Sequence, residues 1–221
     1  MPEVALPPRA VVLDADSTLA AIEGIDWLAE RRPTEVARRI ARLTQEAMAG
    51  TRPLESVYGE RLAAVAPSRD ELAALGAAYV QAVAPGAAAC VAALQRAGVR
   101  VVVVSGGLRG ALLPLGAHLG IPAADVYGVE VRFTAAGAYE DFDRASPLAA
   151  QRGKPQVVET LGLPRPLVAV GDGSTDLAIR SAGAADLFVA FTGYARRDHV
   201  LRHADHVVDS FAALRDLLLP S

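Results

Sequence analysis

Two carboxylates follow the first apolar segment of the chain. Asp14 and Asp16 come directly after the β-branched run Ala10–Leu13. If the strand continues, both side chains point the same way, and because like charges repel they require a partner of opposite charge. One interpretation is a nucleophile beside a general acid/base, held by a cation. The alternative is an Asx turn that caps a following helix.

A second apolar run, residues 99–104, leads into Ser105-Gly106-Gly107. A hydroxyl and bare backbone amides at a helix N-terminus suit a phosphate oxygen, so we predict such a turn here. The alternative is a plain glycine-rich turn. Because Gly106, Gly107 and Gly110 lack the spacing of the dinucleotide fingerprint, the segment does not indicate a nucleotide cofactor.

A third apolar run, residues 167–170, leads into Gly171-Asp172-Gly173-Ser174-Thr175-Asp176. Asp172 and Asp176 would oppose a pyrophosphate, but carboxylates are the ligands that a hard cation prefers. The alternative is that Asp176 only stabilises a helix N-terminus.

Lys154 precedes this third run, at the predicted start of a helix. Considered alone, it is a solvated surface charge. Considered with the acidic strand ends, it completes a set in which a metal ion and a lysine neutralise a phosphoryl group while a carboxylate attacks it.

The elements that must position these residues alternate between apolar runs and helical patterns. Residues 187–190 and 206–208 are weaker strand candidates, and residues 87–97 and 174–182 have helical periodicity. Continuous apolar strands separated by helices predict an α/β fold with a parallel sheet. We also predict a small hairpin from residues 126–134 and 138–140 around Gly137.

Residues from about 19 to 83 interrupt this alternation with helical patterns alone. Because ligands bind at the carboxyl ends of parallel strands, a helical cap over that edge is expected. Residues 72–95 carry no charge and are long enough for a membrane span. Their alanine content and the Pro85-Gly86 pair favour two soluble helices joined at a turn.

The four motifs together resemble those of haloacid-dehalogenase-superfamily phosphatases. The resemblance rests on Asp-x-Asp-Ser-Thr, Ser-Gly-Gly, Lys and Gly-Asp-Gly-x-Thr-Asp, in this order. Within the insertion, Glu23-Gly-Ile-Asp26, Thr44-x-x-Ala-Met48-Ala-Gly50 and Glu60-Arg61-Leu62 are similar to the phosphoserine phosphatase family. This resemblance implies a Rossmann-like core at 1–18 and 84–221, with a helical cap at 19–83. It also implies hydrolysis of O-phospho-L-serine through an aspartyl-phosphate, in serine biosynthesis.

The resemblance further implies roles for individual residues. It gives a catalytic set of Asp14 as nucleophile, Asp16 as general acid/base and Lys154. It gives a Mg²⁺ site formed by Asp14, the backbone carbonyl of Asp16 and Asp172, with Asp176 nearby or in the outer shell. It gives a phosphate- and substrate-binding set of Glu23, Met48, Gly50, Arg61, Ser105, Gly106, Gly107 and Thr175. Within that set, Glu23 would pair with the substrate ammonium and Arg61 with its carboxylate. Leu54 and Leu108 depart from the family pattern, which commonly has aromatic residues there.

Composition limits the remaining alternatives. The chain has 221 residues, a formal net charge of −3 and one cysteine, Cys90. The charge argues against nucleic acid as a partner, and Arg196-Arg197 is interpreted as surface charge. A single cysteine, and no signal-peptide pattern in residues 1–8, predict a cytoplasmic protein outside the membrane. The oligomeric state stays open between monomer and homodimer.

Three rival functions remain. One is a related phosphatase, or a phosphotransferase, that acts on another small phosphomonoester. A second is a non-catalytic phosphate-binding module, which would be expected to lack Asp14, Asp16 or Lys154. The third is a zinc site at His199, His203 and His206, although a pair at i,i+4 is not a four-ligand site.

Overall fold

The computed structural model describes residues 7–48 and 51–220, without the side chain of Met48. In these residues the strands are β1 (Ala10–Leu13), β2 (Arg100–Leu108), β3 (Val126–Val129), β4 (Val131–Phe133), β5 (Tyr139–Phe142), β6 (Leu167–Gly171), β7 (Leu187–Phe191) and β8 (His206–Val208). The α-helices are α1 (Gly24–Ala29), α2 (Thr34–Met48), α3 (Leu54–Val65), α4 (Arg69–Gln81), α5 (Ala87–Arg96), α6 (Arg109–His118), α7 (Gly153–Thr160), α8 (Ser174–Ser181), α9 (Asp198–His203) and α10 (Phe211–Leu218).

Six strands form one parallel sheet in the spatial order β3-β2-β1-β6-β7-β8. The central strand β1 is buried along its whole length, because helices cover both faces of the sheet. Leu13, its last residue, lies opposite Val103 of β2 and Val170 of β6. The carboxyl ends of these three strands therefore lie side by side, and the predicted α/β fold is confirmed.

The predicted hairpin is wrong in its first half. Val126–Val129 forms β3, the edge strand of the main sheet, and only β4 and β5 form a hairpin. Because apolar residues stand on both sides of Glu130, the sequence does not indicate that the main-sheet strand ends at Val129 and a new strand begins at Val131. Gly128 permits this edge pairing, since a Cβ there would lie 2.8 Å from the carbonyl oxygen of Gly107.

Helices α1 to α4 all lie between β1 and β2. The chain leaves and re-enters the sheet at neighbouring points, because Ala20 bridges Val83 and the Ala84 amide donates to the Leu19 carbonyl at 2.8 Å. The division into a core and a cap of residues 19–83 stays a prediction, but both ends of that segment meet.

The uncharged stretch divides between α4 and α5, with Gly86 at positive φ (82°) as the turn between them. Small residues let α4 pack closely on α6, since a Cβ at Gly76 would lie 2.9 Å from Pro114 Cγ. Among the described residues, no helix combines the length and the apolar character that crossing a bilayer requires.

A capping box begins α4, and its Glu71 also binds Arg32 in the turn before α2. The Ser68 hydroxyl accepts from the Glu71 amide, and Glu71 Oε2 accepts from the Ser68 amide at 2.8 Å. Arg32 donates to both carboxylate oxygens of Glu71, at 2.6 and 2.8 Å. The hydrogen bond from Arg32 lowers the pKa of Glu71 to about 2.

Glu71→Gln should destabilise the protein at pH 7 by about 1 kcal/mol, since it removes the charge that Arg32 binds. Because the folded-state pKa of about 2 lies below the ordinary 4.5, this contribution is complete above pH 4.5. It is lost as the pH falls toward 2. Urea unfolding of wild type and variant should therefore converge as the pH is lowered. Ser68→Ala is the control, with a cost of about 1 kcal/mol that depends little on pH. A pH-independent cost of Glu71→Gln would contradict the assignment.

Candidate active site

The carboxyl ends of β1, β2 and β6 open into one cavity beneath the inserted helices. All but two of the predicted site residues line this cavity. They are Asp14, Asp16, Glu23, Arg61, Ser105, Gly106, Gly107, Lys154, Asp172, Thr175 and Asp176. Two predicted residues cannot be compared, because Gly50 and the side chain of Met48 lie outside the described residues. The parallel register thus brings together residues that are far apart in the chain.

Lys154, in the first turn of α7, is a buried cation between two carboxylates. Its Nζ lies 2.7 Å from Asp14 Oδ1 and 2.6 Å from Asp176 Oδ1. Burial alone would lower the pKa of Lys154, but the charges of Asp14 and Asp176 outweigh it and raise the pKa. The lysine therefore stays protonated and can hold a negatively charged group beside Asp14.

Three buried carboxylates form a cluster that fits a cation. Asp14, Asp172 and Asp176 each offer an oxygen within 4.8 Å of the others. Burial raises the pKa of Asp176 to about 7, and the charge of Asp14 adds to this effect. Asp14 Oδ1 contacts the Lys154 ammonium, and Asp172 Oδ2 pairs with Arg197, so both oxygens already face positive charge. Buried, crowded oxygen donors suit a hard divalent cation.

The histidine alternative gains no such support. His203 Nδ1 lies 2.8 Å from the backbone carbonyl oxygen of His199, which fixes that ring to its own helix. In the described residues, the acidic or metal-ligating side chains that gather closely enough for an ion are the three aspartates alone. The candidate metal site therefore lies at the sheet edge.

Asp16 is held at one oxygen and has an unusual charge state. Its Oδ1 accepts from the Gly24 amide at 3.0 Å and from the Tyr79 hydroxyl at 2.5 Å. Burial, followed by the charges of Glu23 and Asp14, raises the pKa of Asp16 to about 8. A carboxyl group that keeps its proton near neutral pH can serve as a general acid.

Ser105, Gly106 and Gly107 lie inside β2, which runs to Leu108 before α6 begins. The predicted helix N-terminal turn at these residues is therefore wrong, because β2 continues past an irregularity in register until Leu108 pairs with Val129 of β3. The Ser105 hydroxyl accepts from the Gly107 amide at 3.1 Å. A Cβ at Gly107 would lie 3.2 Å from Asp16 Oδ2, so glycine keeps the cavity open beside that oxygen.

The inserted helices supply two opposite charges to the cavity. Arg61 of α3 is only 4% exposed, and its Nε has no hydrogen-bond partner among the described residues. Its ion-pair contact is Asp26 Oδ1, at 3.8 Å from an Arg61 terminal nitrogen. Glu23, which precedes α1, accepts from the Ser17 hydroxyl at 2.7 Å, and burial raises its pKa. One acidic and one basic side chain therefore face the same cavity.

The sequence did not identify Tyr58, Tyr79 or Arg197 as site residues. Tyr58 lies one helical turn before Arg61, so its spacing could have indicated a shared inward face. Tyr79 lies in the uncharged stretch, where no local signal marks it. The interpretation of Arg197 as surface charge is wrong, because it contacts the Asp172 carboxylate and lies 3.9 Å from Glu23 Oε1.

Known proteins share this sequence pattern and fold. A family model for haloacid dehalogenase-like hydrolases matches residues 11–179. The phosphoserine phosphatase of Rattus norvegicus is 34% identical over 208 residues, which are 93% of this chain and 91% of the rat protein. The chloroplastic phosphoserine phosphatase of Arabidopsis thaliana is 32% identical, over 93% of this chain and 70% of its own length.

The fold agrees with that of a phosphoserine phosphohydrolase-like protein from Francisella tularensis. The TM-score is 0.89 at 22% identity, with 96% of this chain and 100% of the other covered. The family model spans well over half of the chain, and the rat protein matches along nearly its whole length. The chain therefore belongs to the haloacid dehalogenase-like hydrolases and, within them, to the phosphoserine phosphatase family.

Proposed function

We propose that this protein is a Mg²⁺-dependent phosphoserine phosphatase, which hydrolyses O-phospho-L-serine to serine and inorganic phosphate in serine biosynthesis. The observation that carries the proposal is the joint presence of Glu23 and Arg61 in the cavity that holds Asp14, Asp16 and Lys154. Asp14, Asp16 and Lys154 suit a phosphoryl transfer. Glu23 and Arg61 suit a substrate that carries both an ammonium and a carboxylate group.

In the first step, a carboxylate oxygen of Asp14 attacks phosphorus and the bond from phosphorus to the serine oxygen breaks. Asp16 gives its proton to the departing oxygen, so serine leaves as the neutral alcohol. In the second step, Asp16 takes a proton from water, whose oxygen attacks the aspartyl-phosphate. Inorganic phosphate leaves and the Asp14 carboxylate is regenerated.

Lys154, Ser105 and the amide of Gly106 would bind the phosphoryl oxygens. Gly107, whose amide donates to the Ser105 hydroxyl, and Thr175 line the same cavity. Asp14, Asp172 and the Asp16 carbonyl would hold Mg²⁺, with Asp176 beside them. When bound, the ion would neutralise negative charge on the phosphoryl group. Lys154, which contacts Asp14 and Asp176, would also neutralise negative charge on the phosphoryl group.

Substrate recognition rests on charge complementarity. Within the part of the chain that the structure describes, the buried Arg61 Nε meets no acceptor, and leaving a charged donor unpaired is costly. A substrate carboxylate would satisfy it with the paired geometry that arginine favours. Glu23 would bind the ammonium group on the same carbon atom. Met48 and Gly50 complete the proposed pocket.

Residues 19–83 would form the cap that carries these recognition groups, and residues 1–18 and 84–221 the catalytic core. Cys90 is buried and free, which supports a reducing compartment such as the cytoplasm. The partner is a small-molecule phosphoester, and the oligomeric state is either monomer or homodimer.

Phosphate release from a panel of phosphomonoesters tests the proposal. We expect O-phospho-L-serine to have the highest kcat/KM, and EDTA to abolish turnover until Mg²⁺ is restored. Mg²⁺ alone should raise the Tm of the wild type, because it binds the folded state, and should shift Asp172→Asn much less. Faster hydrolysis of another ester, or phosphoryl transfer to an added alcohol, would favour the rival enzyme.

Asp14→Asn should lower kcat by at least about 10⁴-fold, because an amide cannot form the aspartyl-phosphate. Intact-protein mass spectrometry of acid-quenched samples should detect the phosphoenzyme in the wild type and not in the variant. Asp209→Asn, at an exposed aspartate outside the cavity lining, is the matched control. A variant that retained full activity would refute the mechanism.

Arg61→Ala should raise KM for phosphoserine about 100-fold, because it removes the group proposed to bind the carboxylate. KM for p-nitrophenyl phosphate, which has no carboxylate, should change far less. Arg42→Ala, at an exposed arginine of α2, controls for loss of charge. Equal effects of Arg61→Ala on both substrates would exclude the recognition role.

A further inference from the structure

Tyr79 joins the inserted helices to the proposed general acid. It lies in α4, its side chain is fully buried, and its hydroxyl donates to Asp16 Oδ1 at 2.5 Å. A buried phenolic hydroxyl requires a partner, and here the partner is a reacting group rather than a backbone carbonyl.

The two oxygens of Asp16 have different surroundings. Oδ1 accepts from both the Tyr79 hydroxyl and the Gly24 amide, and together these two donors fix the plane of the carboxyl group. Oδ2 lies on the side of Gly107, a residue of the cavity lining. Because Oδ1 is occupied by two donors, Oδ2 is the oxygen left for proton transfer at the cavity.

The space around the Tyr79 hydroxyl is available only because residue 24 is glycine. A Cβ at Gly24 would lie 2.2 Å from the Tyr79 oxygen and 3.2 Å from the ring carbon that bears it. At Gly107, a Cβ would lie 3.4 Å from the same hydroxyl oxygen. Residue 24 is thus restricted by the Tyr79 hydroxyl, whereas a Cβ at Gly107 would only reach ordinary van der Waals contact with it.

We propose that Tyr79 is a positioning residue, which holds Asp16 with Oδ2 directed at the leaving oxygen of the substrate. This inference rests on the proposed function and adds a residue to its proton-transfer step. The effect of losing the hydroxyl depends on the leaving group. The oxygen of serine needs a proton as it departs, whereas p-nitrophenolate is stable without one.

Tyr79→Phe tests the proposal, because it removes the hydroxyl and keeps the buried ring. Leaving-group release is measured in a single turnover, with enzyme in excess, so that only the first chemical step is observed. We expect the rate with phosphoserine to fall about tenfold or more, and the rate with p-nitrophenyl phosphate less than about twofold. Equal losses with both substrates, or no loss with either, would overturn the proposal.

Tyr58→Phe is the matched control. It removes another buried hydroxyl from the inserted helices, but that hydroxyl donates to the Gly106 carbonyl at 2.8 Å rather than to Asp16. Any loss of rate in this variant should be similar for the two substrates. A preferential loss with phosphoserine here as well would show that the discrimination does not belong to the contact with Asp16, and would overturn the proposal.

Gly24→Ala provides a second route to the same perturbation if Tyr79→Phe folds poorly. The added methyl group should displace the Tyr79 hydroxyl and produce the same preferential loss with phosphoserine. In a Tyr79→Phe background it should add less than about twofold, because the two changes remove one interaction. Additive effects would contradict the proposal. If the wild type prefers another alkyl phosphate, the proposed function fails, but the same rate ratio measured with that ester still tests Tyr79.

Discussion

The contact of Lys154 with Asp14 and Asp176 is the interaction on which the site depends. Three buried carboxylates at the end of a hydrophobic sheet repel one another, and removing water strengthens that repulsion. Lys154 offsets part of it, with Nζ within 2.7 Å of two of the three groups. Buried ion pairs add little stability compared with apolar packing, so this arrangement is explained by chemistry rather than by folding.

The sheet supplies the stability that the site itself lacks. Strand β1 is buried throughout and pairs in parallel with β2 and β6, so the positions of the two strand-end acids follow from backbone register. An apolar strand that is fixed on both sides cannot relax to separate Asp14 from Asp172. The fold therefore holds the repelling carboxylates together, and the excess negative charge that results selects for cations.

Sequence reasoning found the residues whose type and order carry chemistry, such as Asp14, Asp172 and Lys154. It failed where tertiary packing decides the outcome. The sequence predicts a helix N-terminal turn at residues 105–107, but the pairing of Leu108 with Val129 of β3 keeps them in β2. Tyr79 and Asp16 are 63 positions apart and meet only through the tertiary packing of α4 on α1 and α6. No local pattern encodes such a contact.

Substrate recognition and proton transfer share one short stretch of backbone. Glu23, the proposed partner of the substrate ammonium, is followed by Gly24, whose amide holds Asp16 Oδ1. A displacement of Glu23 is therefore transmitted through a single peptide unit to the proposed general acid. The Ser17 hydroxyl, which donates to Glu23 at 2.7 Å, restrains the same stretch from the side of β1. Because one short segment carries both groups, Glu23 and the Asp16 carboxyl group are held in a fixed relation before any substrate binds.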